Sequence, residues 1–247
     1  MHRFFLPPEQ CRGDTPVLDG QEAHHGLRVL RVEKGDRITV LDGLGHEYIC
    51  EIVSTGRQQI HLRIVETRSH PEPACRVTLL QAVPRGKLIE NIIQKATELG
   101  VSRIVPLLTE RVVHKFEAKE IAGKRDKWQQ VAVEAIKQCG APWLPFVEAP
   151  MDPRRFLGGN EAFELPLLAS LQSRAHPRSH FDAFRARHHR QPVSICIWVG
   201  PEGDFTADEI QTIEASAALP ITLGPLVLRS ETAAIYCLSV IQYETSR

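Results

Sequence analysis

Two stretches near the carboxyl terminus combine glycine and proline with polar residues in a pattern that favours a small-molecule site. The first, residues 199–205, contains Gly200 and Gly203, and the second, residues 223–233, contains Gly224. Loops rich in glycine leave backbone amides and carbonyls free to contact a ligand, above all where a helix begins. Each stretch follows an apolar run typical of a β-strand and leads into a helical pattern. Two such junctions in one parallel sheet are expected to build a single ligand site.

The first stretch fits neither of the common phosphate-binding motifs. It lacks the Gly-Lys-Ser/Thr ending of a P-loop, and it is not a G-x-G-x-x-G fingerprint. Two interpretations stay open. It is a plain turn with Pro201 in the second position and Gly203 at positive φ, or a loop that places a ligand hydroxyl or carboxylate at the next helix N-terminus.

The second stretch carries the candidate reactive groups. Leu226 and Leu228 can line an apolar slot for an adenine ring. Arg229 directly precedes a predicted helix, where the helix dipole disfavours a cation, so it is a candidate for stabilising a phosphate or a developing anion. Glu231, in the first turn, either stabilises the helix or takes part in the chemistry.

The elements that hold these loops are predicted from apolar periodicity. From Cys75 onward strands and helices alternate, which is typical of a mostly parallel sheet with helices on both faces. Thr206 and Glu209 form a capping-box pattern at the start of one helix. The strands are predicted at 76–83, 103–108, 165–169, 193–199 and 221–223, and the helices at 88–99, 118–138, 207–218 and 231–244.

The first part of the chain has a different pattern. Short β-branched runs separated by turn residues occupy 37–41, 47–53 and 59–65. They predict a small antiparallel barrel, with one helix over 21–32. Two prolines within 68–74 indicate a linker, so we expect one domain at 1–70 and a second at 74–247.

Basic residues cluster at two places. The predicted helix at 21–32 carries His24, His25, Arg28 and Arg31. Segment 172–192 has five arginines and four histidines against one aspartate. Each cluster is either a solvated face or a contact for RNA phosphates. Arg111, after the second strand of the α/β region, could pair with Glu98.

The composition of the 247 residues limits the class of protein. A formal net charge of zero argues against a protein that coats nucleic acid through bulk charge. No run approaches the ~18 apolar residues of a membrane span. The six cysteines show no disulfide or metal-binding spacing, which favours a reducing cytoplasm.

In the order and spacing of its motifs, the chain closely resembles the bacterial 16S ribosomal RNA (uracil-N3) methyltransferases, the RsmE family of the SPOUT superfamily. The resemblance covers nearly the whole length. It rests on residues 2–5, 24–31, 34–36, 42–43, 94–101, 106, 109–111, 200–203, 223–229 and 231–233.

The resemblance implies an N-terminal PUA-like β-barrel and an α/β methyltransferase domain that contains a deep trefoil knot. It also implies S-adenosylmethionine as cofactor, 16S ribosomal RNA as substrate, a homodimer and no metal. The cofactor-binding residues implied are Leu168, Val199, Gly200, Pro201, Glu202, Gly203, Leu223, Gly224, Leu226, Leu228 and Arg229. The catalytic candidates are Arg229 and Glu231, and the RNA-binding candidates are Arg3, His24, His25, Arg28, Arg31 and Arg111.

Three single residues depart from the family pattern, and residues 85–88 lack its usual basic–acidic spacing. Asp204 stands where a further glycine is common, Ser230 replaces a usual threonine, and Ala141 stands where an arginine is expected. Two other functions also agree with the sequence. One is a SPOUT methyltransferase that acts on tRNA or on a ribose 2′-hydroxyl, and the other is a non-catalytic RNA-binding protein.

Overall fold

The computed structural model describes residues 1–86, 88–111 and 118–246. Within these ranges no helix combines the length and the apolar character that a membrane span requires. All six cysteines are free thiols. Cys196 and Cys237 are buried, as their apolar surroundings predict, and burial raises the pKa of each thiol to about 12.

The chain divides into two compact units. The first comprises Met1–Glu72 and Val133–Leu144, and the second comprises Pro73–Ala132 and the residues from Pro145 onward. The sequence predicts domains at 1–70 and 74–247, whereas in the structure residues 133–144 belong to the first unit. These residues end a long helix whose sequence pattern shows no change at that point.

A five-stranded sheet forms the centre of the first unit. Its strands are β1 (Arg3–Phe5), β2 (Val17–Leu18), β3 (Arg37–Leu41), β4 (His46–Thr55) and β5 (Ile60–Ser69). Their order is β1-β3-β4-β5-β2, in which β1 is parallel to β3 and the other pairs are antiparallel. Alternate side chains point inward and form a fully buried core that includes Phe4, Val40, Ile52 and Leu62.

The predicted helix at 21–32 is two shorter segments. Helix α1 (Gly20–His24) continues into one π-helical turn (His25–Leu30), which ends at Arg31 with φ of 54°. A Cβ on Gly26 would lie 2.7 Å from the Ile60 side chain. The absence of a side chain there lets this backbone pack directly against the sheet, and a wider turn is formed where an ordinary α-helix was expected.

A six-stranded sheet forms the centre of the second unit. Its strands are β6 (Arg76–Ala82), β7 (Arg103–Leu107), β8 (Phe146–Val147), β9 (Leu165–Ala169), β10 (Ser194–Val199) and β11 (Leu219–Ile221). The order is β11-β9-β10-β6-β7-β8 and every pair is parallel, which confirms the predicted parallel sheet. The helices are α2 (Leu88–Glu98), α3 (Ala118–Cys139), α4 (Pro153–Gly158), α5 (Pro177–His188), α6 (Ala207–Ala215) and α7 (Ser230–Thr245).

Strand β11 is shifted from its predicted bounds. It begins at Leu219, two residues earlier than predicted, and includes Pro220. A proline is tolerated because β11 is an edge strand, where its missing N–H leaves no gap in the ladder. Because β9, β10 and β11 are parallel neighbours, their carboxyl ends lie along the same edge of the sheet.

The predicted capping box is present at the start of α6. The Glu209 amide donates to Thr206 Oγ1 at 3.3 Å, and Glu209 Oε2 accepts from the Thr206 amide at 2.9 Å. The second carboxylate oxygen of Glu209 accepts from the amide of Glu110, which follows β7. One buried carboxylate therefore connects the end of β7 to the start of α6.

Glu164 ties the amino-terminal ends of β9 and β10. Its carboxylate accepts from Arg190 and, at 2.8 Å, from the Val193 amide, and both bonds hold its pKa at about 2, below the usual 4.5. A depressed pKa contributes stability above pH 4.5 that is lost as pH falls toward 2. We expect Glu164→Gln to unfold at lower temperature than the wild type at pH 7. Calorimetry should show that difference shrinking between pH 4.5 and pH 2, and a difference independent of pH would contradict the assignment.

Candidate functional site

A cavity opens at the carboxyl ends of β9, β10 and β11. It contains about 770 Å³ of empty space, including the part open to solvent. The loops after the three strands and the first turn of α7 form its walls. The lining residues are Ala169, Ser170, Leu171, Val199, Gly200, Pro201, Glu202, Asp204, Thr222, Leu223, Gly224, Pro225, Leu226, Val227, Leu228, Ser230 and Ala233.

The loop after β10 is a tight turn that packs closely against Gly200. The Asp204 amide donates to the Pro201 carbonyl at 2.9 Å, so Pro201 takes the first turn position and not the second. Asp204, and not Gly203, has the positive φ of 61°. Asp204 Oδ1 accepts from the Phe205 amide. A Cβ added to Gly200 would lie 2.9 Å from this oxygen. The left-handed conformation explains why a glycine suits the position of Asp204.

Groups that follow β6 and β7 hold this loop from outside the cavity. Glu202 Oε1 accepts from the Arg85 amide at 3.0 Å. The Arg111 guanidinium donates to the carbonyl of Gly203 and, at 3.4 Å, to that of Phe205. The loop is therefore fixed by bonds to its backbone and by the buried ring of Phe205.

The loop after β11 presents apolar side chains to the cavity. Gly224 has φ of 107°, a conformation that other residues rarely adopt. Leu226 and Val227 are 74% and 79% exposed, while Leu228 is partly buried. Exposed leucine and valine beside a cavity form a surface that an aromatic ring can cover.

The start of α7 closes the cavity on its last side. Ser230 Oγ donates to the Gly200 carbonyl at 2.7 Å and so joins the two glycine loops. Arg229 is the N-cap residue, and its side chain makes no capping bond and is exposed. Glu231 is partly buried in the first turn of the helix.

The structure brings most of the predicted cofactor residues together. Those that line the cavity are Val199, Gly200, Pro201, Glu202, Leu223, Gly224, Leu226 and Leu228. The lining residues that were not predicted follow Leu168 at the end of β9 or neighbour the predicted residues. These are Ala169, Ser170, Leu171, Asp204, Thr222, Pro225, Val227, Ser230 and Ala233. An apolar residue two positions beyond the predicted strand, Leu171, was the available signal, and the structure shows it exposed.

Three predicted cofactor residues do not line the cavity. Leu168 is fully buried in the core with Trp198, so the contact that it was expected to make falls to Ala169 and the residues after it. Gly203 lies on the outside of its turn and accepts from Arg111. Arg229 is exposed and is not part of the lining, and its role in the chemistry, like that of Glu231, stays a prediction.

The predicted RNA-binding residues of the first unit lie in different surroundings. His24, Arg28 and Arg31 are exposed, and His25 is partly buried against the edge of the Phe4 ring. The Arg3 guanidinium instead donates to the carbonyls of Lys137 and Gln138 at the carboxyl end of α3. A cation there is favourable for the helix dipole.

The expected pair between Arg111 and Glu98 is wrong. Glu98 accepts from Lys95 at 2.8 Å, one turn earlier on α2. Arg111 binds the loop after β10, as described above. Ala141 stands where an arginine was expected. The residue before it, Gly140, lies close to Arg3, since a Cβ added to Gly140 would be 2.9 Å from the Arg3 guanidinium.

The lining suits a ligand that carries an aromatic ring and a positive charge. Among the described residues, the cavity wall includes the acids Glu202 and Asp204 and has no cationic side chain. Backbone carbonyls and amides of the two glycine loops supply the remaining polar groups. S-adenosylmethionine has an adenine ring and a sulfonium cation, so the residues present fit that cofactor.

Comparisons with known families agree with this geometry. A family model described as an RNA methyltransferase domain matches residues 70–242. A second model, described as an RNA methyltransferase PUA domain, matches residues 18–65.

Similar full-length proteins carry one functional name. The ribosomal RNA small subunit methyltransferase E of Bacillus subtilis is 31% identical and covers 99% of this chain and 97% of its own length. That of Synechocystis is 34% identical, with coverages of 97% and 77%. A solved structure of the enzyme from Neisseria gonorrhoeae, bound to S-adenosyl methionine, superposes with a TM-score of 0.85 at 27% identity, covering 98% of this chain and 97% of that one.

Proposed function

Because this chain belongs to the RNA methyltransferase family, we propose that it transfers a methyl group from S-adenosylmethionine to N3 of a uracil in 16S ribosomal RNA. The protein is an S-adenosylmethionine-dependent ribosomal RNA methyltransferase. The observation that carries the proposal is the cavity at the ends of β9, β10 and β11, where both glycine loops meet. We propose a cytoplasmic location, which a ribosomal RNA substrate supports.

The cavity residues divide into two groups by what they can bind. Leu226, Val227 and Leu228 provide apolar surface for the adenine ring, and the backbone of residues 199–202 faces the polar part of the ligand. When bound, S-adenosylmethionine supplies a methyl group that its sulfonium already activates. No metal is needed for this transfer, so the remaining task of the chain is to prepare the nucleophile.

Uracil N3 carries a proton at neutral pH, which must leave before or during attack. A cation beside O2 or O4 stabilises the negative charge that develops, as the donors of an oxyanion hole do. Arg229 is suited to this role because it stands beside the cavity without filling it. Glu231, in the first turn of the helix, is a candidate for accepting the proton.

The substrate must present an accessible base. N3 lies on the Watson–Crick edge, so the target uridine is unpaired or flipped out of its stack. We propose that the first unit holds flanking RNA through phosphates and shape, using the exposed face of His24, Arg28 and Arg31.

The salt dependence of RNA binding tests this face. Each phosphate contact contributes ~0.7–0.9 to the slope of log affinity against log salt. We expect Arg28→Gln to lower that slope by about one contact, as measured by filter binding or anisotropy across a salt series. Arg63→Gln is the matched control, because Arg63 is exposed but paired with Glu51 at 2.9 Å. An equal slope for Arg28→Gln and the wild type would remove this face from the interface.

The proposal also includes a knot, a barrel and a homodimer. The connection from β10 to β11 crosses β9, and Ser230 at the start of α7 then bonds back to Gly200. This connection and this bond support a trefoil knot in this region. The five-stranded sheet of the first unit supports a PUA-like barrel. The exposed apolar Leu171, Leu226 and Val227 at the cavity mouth support a homodimer in which a second chain covers the site.

Product analysis tests the function directly. The purified chain is incubated with labelled S-adenosylmethionine and small ribosomal subunits from a strain that lacks this gene. We expect one methyl group on N3 of a uridine in 16S ribosomal RNA, located by mass mapping. Methylation of tRNA or of a ribose 2′-hydroxyl would support the alternative SPOUT activity instead. Absence of cofactor binding in calorimetry would support a non-catalytic RNA-binding protein.

A further inference from the structure

We infer that Gln81 is a positioning residue that sets the geometry of the cofactor cavity, an inference that rests on the function proposed above. Gln81 is fully buried near the end of β6, between β10 and β7. Its neighbours in register are Val199 and Pro106. A polar side chain in the middle of an apolar sheet lowers stability unless its groups are hydrogen-bonded.

The Gln81 amide starts a directed chain of hydrogen bonds that ends in the loop after β10. Its Nε2 donates to the Ala82 carbonyl at 2.8 Å and to Ser230 Oγ at 3.0 Å. The serine hydroxyl has a single proton, which it donates to the Gly200 carbonyl at 2.7 Å. Ser230 must therefore accept from Gln81. The Ala82 carbonyl, which only accepts, fixes the orientation of the amide.

The oxygen of the Gln81 amide does not stabilise the fold. Gln81 Oε1 is buried and has no hydrogen-bond partner among the described residues. An apolar side chain of similar size would avoid the desolvation of this oxygen. Stability alone therefore does not explain a glutamine at this position, whereas the need for a donor to Ser230 does.

The chain of bonds fixes the distance between two walls of the cavity. Gly200 and Ser230 both line it, and they belong to segments 30 residues apart in sequence. Arg229 immediately precedes Ser230, so the same bonds locate the backbone from which its side chain extends. Gln81 is absent from the lining and acts through Ser230.

Calorimetric titration of S-adenosylmethionine into full-length variants tests the inference. We expect Gln81→Met and Ser230→Ala each to weaken cofactor binding about tenfold, the effect of losing one buried hydrogen-bond partner. Because both act in one chain, the double variant should bind no more weakly than either single variant. Ser230→Thr keeps the hydroxyl and should bind within about twofold of the wild type.

Thermal unfolding separates positioning from a general loss of structure. Gln81→Met removes an unsatisfied oxygen together with a donor, so its unfolding temperature should stay close to that of the wild type. Thr97→Val is the matched control. It deletes a buried hydroxyl that donates to the Ile93 carbonyl at 2.8 Å on α2, away from the cavity lining. This control should lose stability but keep its affinity for the cofactor.

Two results would overturn the inference. One is Gln81→Met with wild-type affinity for S-adenosylmethionine, and the other is a double variant whose loss equals the product of the single losses. Failure of the wild-type chain itself to bind S-adenosylmethionine would instead refute the proposed function. The two failures are thus distinguishable in the same titrations.

Discussion

Replacing Arg229 with alanine is expected to lower the turnover number by roughly a hundredfold to a thousandfold while the affinity for S-adenosylmethionine is kept. A positioned donor that stabilises a developing oxyanion typically contributes ~2.7–4 kcal/mol to the transition state. Arg229 precedes α7 and is exposed, and its side chain is absent from the cavity lining. The substitution therefore removes a charge beside the cofactor without changing the walls that hold it.

Single-turnover methylation of the ribosomal substrate, together with calorimetric titration of the cofactor, measures the two quantities separately. Arg154→Ala is a suitable control, because Arg154 is an exposed arginine on α4 that does not line the cavity. It should methylate at the wild-type rate. If Arg229→Ala methylates as fast as the wild type, Arg229 is not the stabilising cation. If its cofactor affinity falls as far as its rate, it is a binding residue.

Gly224→Ala is expected to have the second-largest effect, a loss of tenfold or more in cofactor affinity. Gly224 has φ of 107°, and no atom lies within 4 Å of the position a Cβ would take. The substitution introduces no clash, so its whole effect is backbone strain, about 1–3 kcal/mol for such a conformation. The loop after β11 can relieve that strain by moving, and this movement would displace Leu226 and Leu228 from the cavity wall.

Gly13→Ala is the control that separates the effect of backbone strain on stability from its effect on cofactor binding. Gly13, in the first unit, has φ of 88° and also has no atom within 4 Å of its Cβ position. Both variants should lose similar stability in chemical denaturation, but only Gly224→Ala should lose affinity for S-adenosylmethionine. Equal cofactor affinity in the two variants would show that the loop after β11 does not hold the ligand.

Much of the second unit could be predicted because its signals are local. The strand at 165–169 has the bounds that its apolar run predicts, and the capping box at Thr206 was visible in four consecutive residues. The edge strand β11 was harder. Pro220 argues against a strand, and only its place beside β9 at the rim of the sheet makes it acceptable.

The site was predictable where it consists of loops and hidden where it depends on distant contacts. Glycines in both loops and leucines in the second indicated a ligand site from the sequence pattern. Gln81 and Ser230 are 149 residues apart, and no local pattern connects them. The misplaced contact at Leu168 has a simpler cause. A buried strand end faces the core, and the residues beyond it form the wall.

The cavity has a consequence for when the protein first becomes competent. Its walls come from four segments between Ala169 and Ala233, and the last of them is the beginning of the final helix. A chain still being synthesised cannot recognise the methyl donor until that helix has emerged and packed. Cofactor capture therefore requires α7 to be folded, because without this helix one wall of the cavity is missing.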